Sequence, residues 1–289
     1  MKCLVIGNFT VDDLNGYLNK GGSSYYSSWS LAQLGCNVHV LTSISEKYRE
    51  LYRELYSVIN IWEYSCPSNP VFVIKNDKAI ALKERGCRIS LNKVIEVYSI
   101  VKPDLLLFTP VFNEVEFNED FLNRVLKDSI VTGLEIHGLT RDIVDSEIVN
   151  KWSDDLFNIF KYFKIVHGNI YEYCFSNNFI EIISVLRDYS TKHGTCFQIS
   201  MDEAGLYLID RGIVYYFKPA NTHIVSKIGA GDVLLAVSSF YMSRRYNCLE
   251  STIRGFIASN YKMASRDSSW FNENCIEECV DKIEYTKLI

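Results

Sequence analysis

Apolar positions along the chain follow two rhythms. Short runs are continuous or alternate with polar residues, and longer stretches between them carry three- and four-residue spacing. The first rhythm predicts strands and the second predicts helices. Residues 2–7, KCLVIG, are an apolar run closed by glycine, as in a strand buried on both faces. Residues 21–35, GGSSYYSSWSLAQLG, open on a glycine pair. They then space Tyr25, Trp29, Leu31, Ala32 and Leu34 as on a helix, which Gly35 ends. The alternating NVHVLTSI follows as a second strand and completes a β-loop-α-β unit, the building block of a parallel sheet.

Residues 69–88 depart from this pattern. VFVIK, a polar NDK and then AIALK predict a β-hairpin. Further strands are expected within 103–111, 130–136, 162–169, 195–200, 205–210 and 213–219. Helices are expected in FNEDFLNRVL, SEIVNKWSDDLFNIF and YEYCFSNNFIEIISVLRDYSTKHG, and the chain should be mostly helical from Val233 onward. No repeat, low-complexity segment or linker interrupts the alternation. The expectation is one α/β domain over 1–289 with a small β appendage from about 13–20 and 62–88.

Composition narrows the function classes. The chain has 289 residues, 48% of them hydrophobic and 22% charged, with a formal net charge of -5. It is long enough to bury a large core. Its acidity argues against a nucleic-acid or anionic-membrane partner, although backbone amides at helix N-termini still bind phosphates locally. No run approaches a membrane span, and the N-terminal apolar run is too short for a signal peptide. The 9 cysteines are scattered without a C-x-x-C pair. Buried or tolerated thiols in a reducing cytoplasm are therefore expected, with Cys275 and Cys279 on one helical face.

The candidate chemistry lies in IGAGDVLLAV, 228–237. Small residues at Gly229, Ala230 and Gly231 let backbone amides approach a phosphoryl group, and a following helix adds its dipole. Asp232 at the same mouth would repel a phosphate unless it serves as a base for an attacking hydroxyl. A dinucleotide fingerprint needs glycine where Leu234 stands, and no P-loop string occurs.

Gly229, Ala230, Gly231 and Asp232 match the G-A-G-D signature of the ribokinase-like, or phosphofructokinase-B, carbohydrate kinases, which the whole chain resembles. The resemblance implies a three-layer α/β/α sandwich with a mostly parallel, doubly wound sheet and a small β lid. It also implies that residues 229–231 form an anion hole and that Asp232 is the catalytic base. GNFTVD supplies Gly7 and the acceptor-binding Asp12, with Gly21 and Gly22 as the glycine pair against the acceptor. NIYE supplies Asn169 and Glu172, the latter organising Mg2+ and its waters around the donor phosphates. SMDEAG supplies Ser200 and Gly205 beside the nucleotide, with Asp202 in place of a glycine. TPVFNEV and LEIHGLTR resemble segments of a subset of archaeal members.

Ser226 and Lys227 stand where the family usually has aspartate and threonine, and Lys227 is a candidate phosphate contact or a surface lysine. Thr10 and Tyr26 replace the asparagines of ribokinases proper, which favours a nucleoside or cyclitol over ribose, with Tyr26 at the acceptor. Glu114 and Glu135 are candidates to reach the site, and Tyr25, Lys83, Arg85 and Arg88 to touch the acceptor or the lid. His137 and His167 are expected to be scaffold or surface residues. The expected activity is ATP-dependent, Mg2+-assisted phosphorylation of a hydroxyl on a small sugar, cyclitol or nucleoside, with a possible homodimer through the lid. The alternative is a non-catalytic nucleotide- or sugar-binding protein that retains the fold.

Overall fold

A computed structural model describes residues 1–126, 130–219, 223–265 and 268–288. The first strand, β1 (Lys2–Ile6), sends Cys3 and Val5 into one hydrophobic cluster and Leu4 and Ile6 into another. Both of its faces are covered, which is why its sequence does not alternate. β2 (Thr10–Leu14) and β3 (Tyr17–Gly21) form a hairpin, and α1 (Ser23–Gln33) leads to β4 (Asn37–Ile44) and β5 (Asn60–Ser65). A second hairpin joins β6 (Val71–Lys75) and β7 (Lys78–Glu84) through Asn76 and Asp77, whose positive φ angles of 50° and 58° suit a tight two-residue turn.

Strand–helix alternation resumes with α2 (Leu91–Val101), β8 (Leu105–Phe108), α3 (Glu119–Val125) and β9 (Val131–Glu135). The single turn α4 (His137–Thr140) runs into a small hairpin, β10 (Arg141–Val144) and β11 (Glu147–Asn150). Next come α5 (Asp155–Phe160), β12 (Ile165–Asn169), α6 (Phe179–His193), β13 (Cys196–Ser200), β14 (Leu206–Asp210) and β15 (Ile213–Phe217). The chain closes with α7 (Ala230–Ser243), α8 (Cys248–Ala264), α9 (Glu273–Glu277) and β16 (Tyr285–Lys287).

Ten strands form the central sheet in the order β16-β15-β14-β13-β12-β9-β8-β1-β4-β5. From β13 to β5 every pairing is parallel, and β14, β15 and β16 extend the other edge in antiparallel fashion. α1, α7 and α8 cover one face, and α2, α3, α5 and α6 cover the other. A separate sheet, in the order β3-β2-β6-β7, stands off the ends of these strands. A third cluster of Phe72, Ile74 and Val111, with Ile148 and Ile228 packed against it, ties this second sheet to the main body.

Several sequence expectations change. Residues 62–65 belong to β5 in the central sheet, paired with β4 through Leu41–Trp62, and not to the appendage. The helix expected over 146–160 is confined to 155–160. Asp145 and Ser146 take positive φ and fold 141–150 back into a hairpin, where Ile148 and Val149 suit a pleated strand. In the next expected helix only 179–193 is α-helical, because the Asn178 side chain accepts from the amide of Ile180 and starts the helix there. The C-terminal strand β16 was not expected.

Cys66 and Cys87 are joined in a disulfide, against the expectation of unpaired thiols, while the other seven cysteines, Cys275 and Cys279 included, are free. The bond closes the stem of the β6–β7 hairpin. Closing a loop with a sequence separation of 21 removes chain entropy from the unfolded state worth about 3 kcal/mol. Peptide mapping without reductant should recover the two segments linked, and Cys66→Ser or added dithiothreitol should lower the denaturation midpoint accordingly. Identical melting with and without reductant would refute the stabilising role.

Candidate functional site

Most helices in this chain close their first amides with a side chain. Ser90 caps α2, Asn118 caps α3, Asn178 caps α6, Asn247 caps α8 and Asn272 caps α9. The long helices α1 and α7 do otherwise. Their N-caps are Gly22 and Gly229, and neither has a side-chain cap. Both glycines line one cavity of about 520 Å3 at the ends of the parallel strands, roofed by Phe72, Ile74, Asp77 and Ala79 from the second sheet. Uncapped amides and two positive helix ends therefore face the same space.

The loop into α7 requires its glycines. Gly229 has a φ of 77°, and a Cβ there would lie 2.3 Å from the Tyr26 ring. A Cβ on Gly231 would lie 2.3 Å from Cε1 of His167. Tyr26 lines the cavity from behind this loop, stacked on Trp270 with centroids 5.8 Å apart. Asp232, in the first turn of α7, is buried and faces the cavity. Burial raises its pKa, and nearby Glu135 adds to this, while His137, the Ser23 hydroxyl and His167 oppose it.

Asp12 on β2 is the second buried carboxylate of the cavity and accepts from the Thr10 hydroxyl at 2.9 Å. Gly21 packs directly against it without itself lining the cavity. Desolvation pushes the Asp12 pKa up to about 6. Glu135, at the end of β9, contacts Nδ1 of His167 at 2.5 Å and Nδ1 of His137 at 3.3 Å. Burial works against its charge, but the two histidines outweigh that and hold its pKa down at about 2. Burial likewise opposes a charge on His167, and Glu135 overcomes it, raising the His167 pKa. His137 Nε2 lies 3.0 Å from the Ser23 hydroxyl, which also steadies Asp232, so a polar chain runs from Glu135 to Asp232.

Asn169 and Glu172 form a capping box at the end of β12, with the Asn169 amide donating to Glu172 at 2.7 Å, and both line the cavity. Burial raises the Glu172 pKa, and Glu135 contributes by repulsion. Ligand atoms of Glu135, His137 and Asp232 lie within 4.8 Å of one another. With two carboxylates among three ligands, this set could take a divalent cation.

Ser200, Gly205 and Lys227 line the cavity with Leu206, Pro219, Ile224, Phe256 and Met263. Lys227 pairs with Glu203 at 2.7 Å. Asp202 accepts from Asn169 Nδ2 at 2.9 Å and pairs with Lys78 of the β6–β7 turn at 3.3 Å, so its charge is compensated. Glu114 stays out of the cavity and accepts the amides of Asn8, Val111 and Phe112, fixing the backbone after β8. Lys83 pairs with Asp13, Arg85 stacks on Phe112, and Arg88 pairs with Glu116. Tyr25 is buried edge-on to Tyr26.

His137 and His167 line the cavity wall and brace Glu135 between them. Arg141 was not foreseen as a site residue. It reaches the cavity beside Phe72, donates to the Val111 carbonyl at 3.1 Å, and lies in the field of Glu172, Asp232, Glu135 and Asp12. Its signal was the strand-end string HGLTR. Lys262, buried in α8, had no comparable signal.

The Asp12 carboxyl binds its proton more tightly in the folded chain, at about 6 against an ordinary 3.8. Stability therefore falls as pH rises through that window and stays lower above it, by roughly 3 kcal/mol. Asp12→Asn should melt higher than wild type at neutral pH and lose this acid-side slope. An unchanged slope in denaturant titrations would contradict the shift.

No protein-family model matches the chain, and no curated protein is significantly similar to it in sequence. Solved structures do resemble it. A pyrophosphate-dependent myo-inositol-1 kinase converted by mutation into a myo-inositol-3 kinase superposes with a TM-score of 0.79 at 13% identity, over 96% of this chain and 98% of that one. A pyrophosphate-dependent kinase of the ribokinase family, complexed with a pyrophosphate analogue and myo-inositol, gives 0.76 at 14% identity over 90% and 94%. Ribokinase from Thermotoga maritima gives 0.71 at 17% identity over 96% and 99%. The chain has the ribokinase-like fold, a three-layer α/β/α sandwich around a mostly parallel sheet.

Proposed function

We propose that the chain is a carbohydrate-type kinase, transferring a phosphoryl group to a hydroxyl of a small sugar, cyclitol or nucleoside. The observation that carries this reading is the pair of uncapped, glycine-started helices facing one cavity with a buried carboxylate at each mouth, Asp12 near α1 and Asp232 on α7. Asp12 accepts acceptor hydroxyls, and Arg141 supplies a cation between the carboxylates. The acceptor oxygen attacks the terminal phosphorus of the donor as the bond to the bridging oxygen breaks. Asp232 takes the hydroxyl proton, and the amides of Gly229 and Gly231 donate to the transferred oxygens, the Ala230 amide being held by the Lys227 carbonyl at 3.1 Å. Bound Mg2+ would offset phosphate charge, organised by Glu172 through water. The second sheet roofs the cavity as a lid that excludes water. Its edge strand β3 exposes Tyr17 and Leu18, which supports a homodimer through the lid.

ATP is the proposed donor. Leu206, Pro219, Ile224, Phe256 and Met263 make an apolar stretch of cavity wall beside the glycine loop, suited to a nucleobase. The compensation of Asp202 by Lys78 and Asn169 removes an obstacle to phosphate binding that otherwise favours a non-catalytic protein.

Asp232→Asn should retain donor binding and lose turnover by about 10²–10⁴. Phosphate-transfer assays across sugars, inositols and nucleosides test this, and a variant within twofold of wild type would remove Asp232 from the base role. Calorimetric titration should show MgATP binding more than about tenfold tighter than magnesium pyrophosphate. The reverse order would assign pyrophosphate as donor.

A further inference from the structure

Lys262 projects from α8 beneath the glycine loop and is buried. Its ammonium donates to the backbone carbonyls of Ile228 and Ser226, the latter at 3.3 Å, and lies 5.2 Å from the centroid of the Tyr26 ring. Among the described residues it makes no ion pair. Burial pulls its pKa down to about 8, with Asp232, Asp77 and Asp12 opposing the shift. A buried cation with three donors and no carboxylate partner, spent on two carbonyls of one loop, calls for an explanation beyond packing.

In a trans peptide the C=O and the following N–H point in opposite directions. Carbonyls of 226 and 228 gathered inward therefore turn the amides of Lys227 and Gly229 away from the lysine. The Lys227 amide does point outward, to Asp77 at 3.3 Å on the cavity wall. Without a cation, the negative ends of two carbonyl dipoles would converge on an unoccupied buried point.

We infer that Lys262 is a positioning residue, a built-in cation that holds the 226–231 loop in its anion-binding shape and makes an external monovalent cation unnecessary there. The consequence for phosphoryl transfer rests on the function proposed above, while the cation site itself does not. Removing the side chain leaves a hole with two converging carbonyls, which a bare potassium or ammonium ion fills and tetramethylammonium is too large to enter.

Wild type, Lys262→Ala and Lys262→Met are compared in potassium, ammonium and tetramethylammonium chloride at equal ionic strength. The wild-type melting temperature should not distinguish the three salts. Lys262→Ala should melt higher in potassium or ammonium, saturably with concentration, and Lys262→Met, whose side chain fills the hole, should not respond. In tetramethylammonium, magnesium pyrophosphate should bind Lys262→Ala about tenfold or more weakly than wild type, and potassium should restore it. Lys262→Ala melting alike in all three salts would overturn the inference. So would weakened pyrophosphate binding that no small cation restores, since that marks a merely structural lysine. If wild type binds neither pyrophosphate nor MgATP, the phosphoryl-transfer reading fails, and the salt-specific melting of Lys262→Ala still decides the cation site.

Discussion

Like charges crowd one cavity, and much of the local structure is arranged around that fact. Asp12, Glu135, Glu172 and Asp232 all line it, in a chain whose net charge is already negative. Like carboxylates at close range raise one another's pKa, and burial adds to the effect. Glu135 escapes by pairing with His167 and His137, which leaves it ionised. Arg141 answers the others collectively, lying in the field of all four and making no ion pair with any one of them among the described residues. The two glycine-started helix ends supply the remaining positive potential without adding a side chain.

The sheet makes this concentration of charge possible. Parallel strands deliver their C-terminal ends to one side, so Glu135 after β9, Asn169 after β12 and Ser200 after β13 arrive as neighbours although they are far apart in sequence. Ligand sites of open parallel sheets gather at such strand ends. The space above them is closed by β6 and β7, which roof the cavity with Phe72, Ile74 and Ala79.

Much of this was legible in the sequence because it is local. The unbroken apolar run at 2–6 signalled a strand covered on both faces, and the small residues at 229–231 before an apolar run signalled a glycine-started helix. Short motifs marked Asp12, Glu172 and Asp232, which all line the cavity, the first within β2 and the others where β12 ends and α7 begins. What depends on distant partners was not legible. A histidine next to glycine in IVHG carries no sign that Glu135, 32 residues earlier, will hold it under Gly231. The pairing of Cys66 with Cys87 needed the hairpin between them to fold back, and nothing in the spacing announces it. The expected helix failed over 146–154 because a turn at Asp145 and Ser146 is set by backbone conformation more than by composition, while 155–160 is helical as expected.

The disulfide also bears on mechanics. The four-stranded roof joins the body by two stems, one at Thr10 and Gly21 and the other between Cys66 and Cys87. A plate held by a single flexible stem swivels freely about every axis. One held at two separated points, the second of them cross-linked, retains a single easy rotation about the line through both, as a door does on its hinges. That line passes beside Gly21 and Gly22, where β3 runs into α1 and Ser23 meets His137. The first stem is thus continuous, through Ser23 and His137, with the polar chain that ends at Asp232.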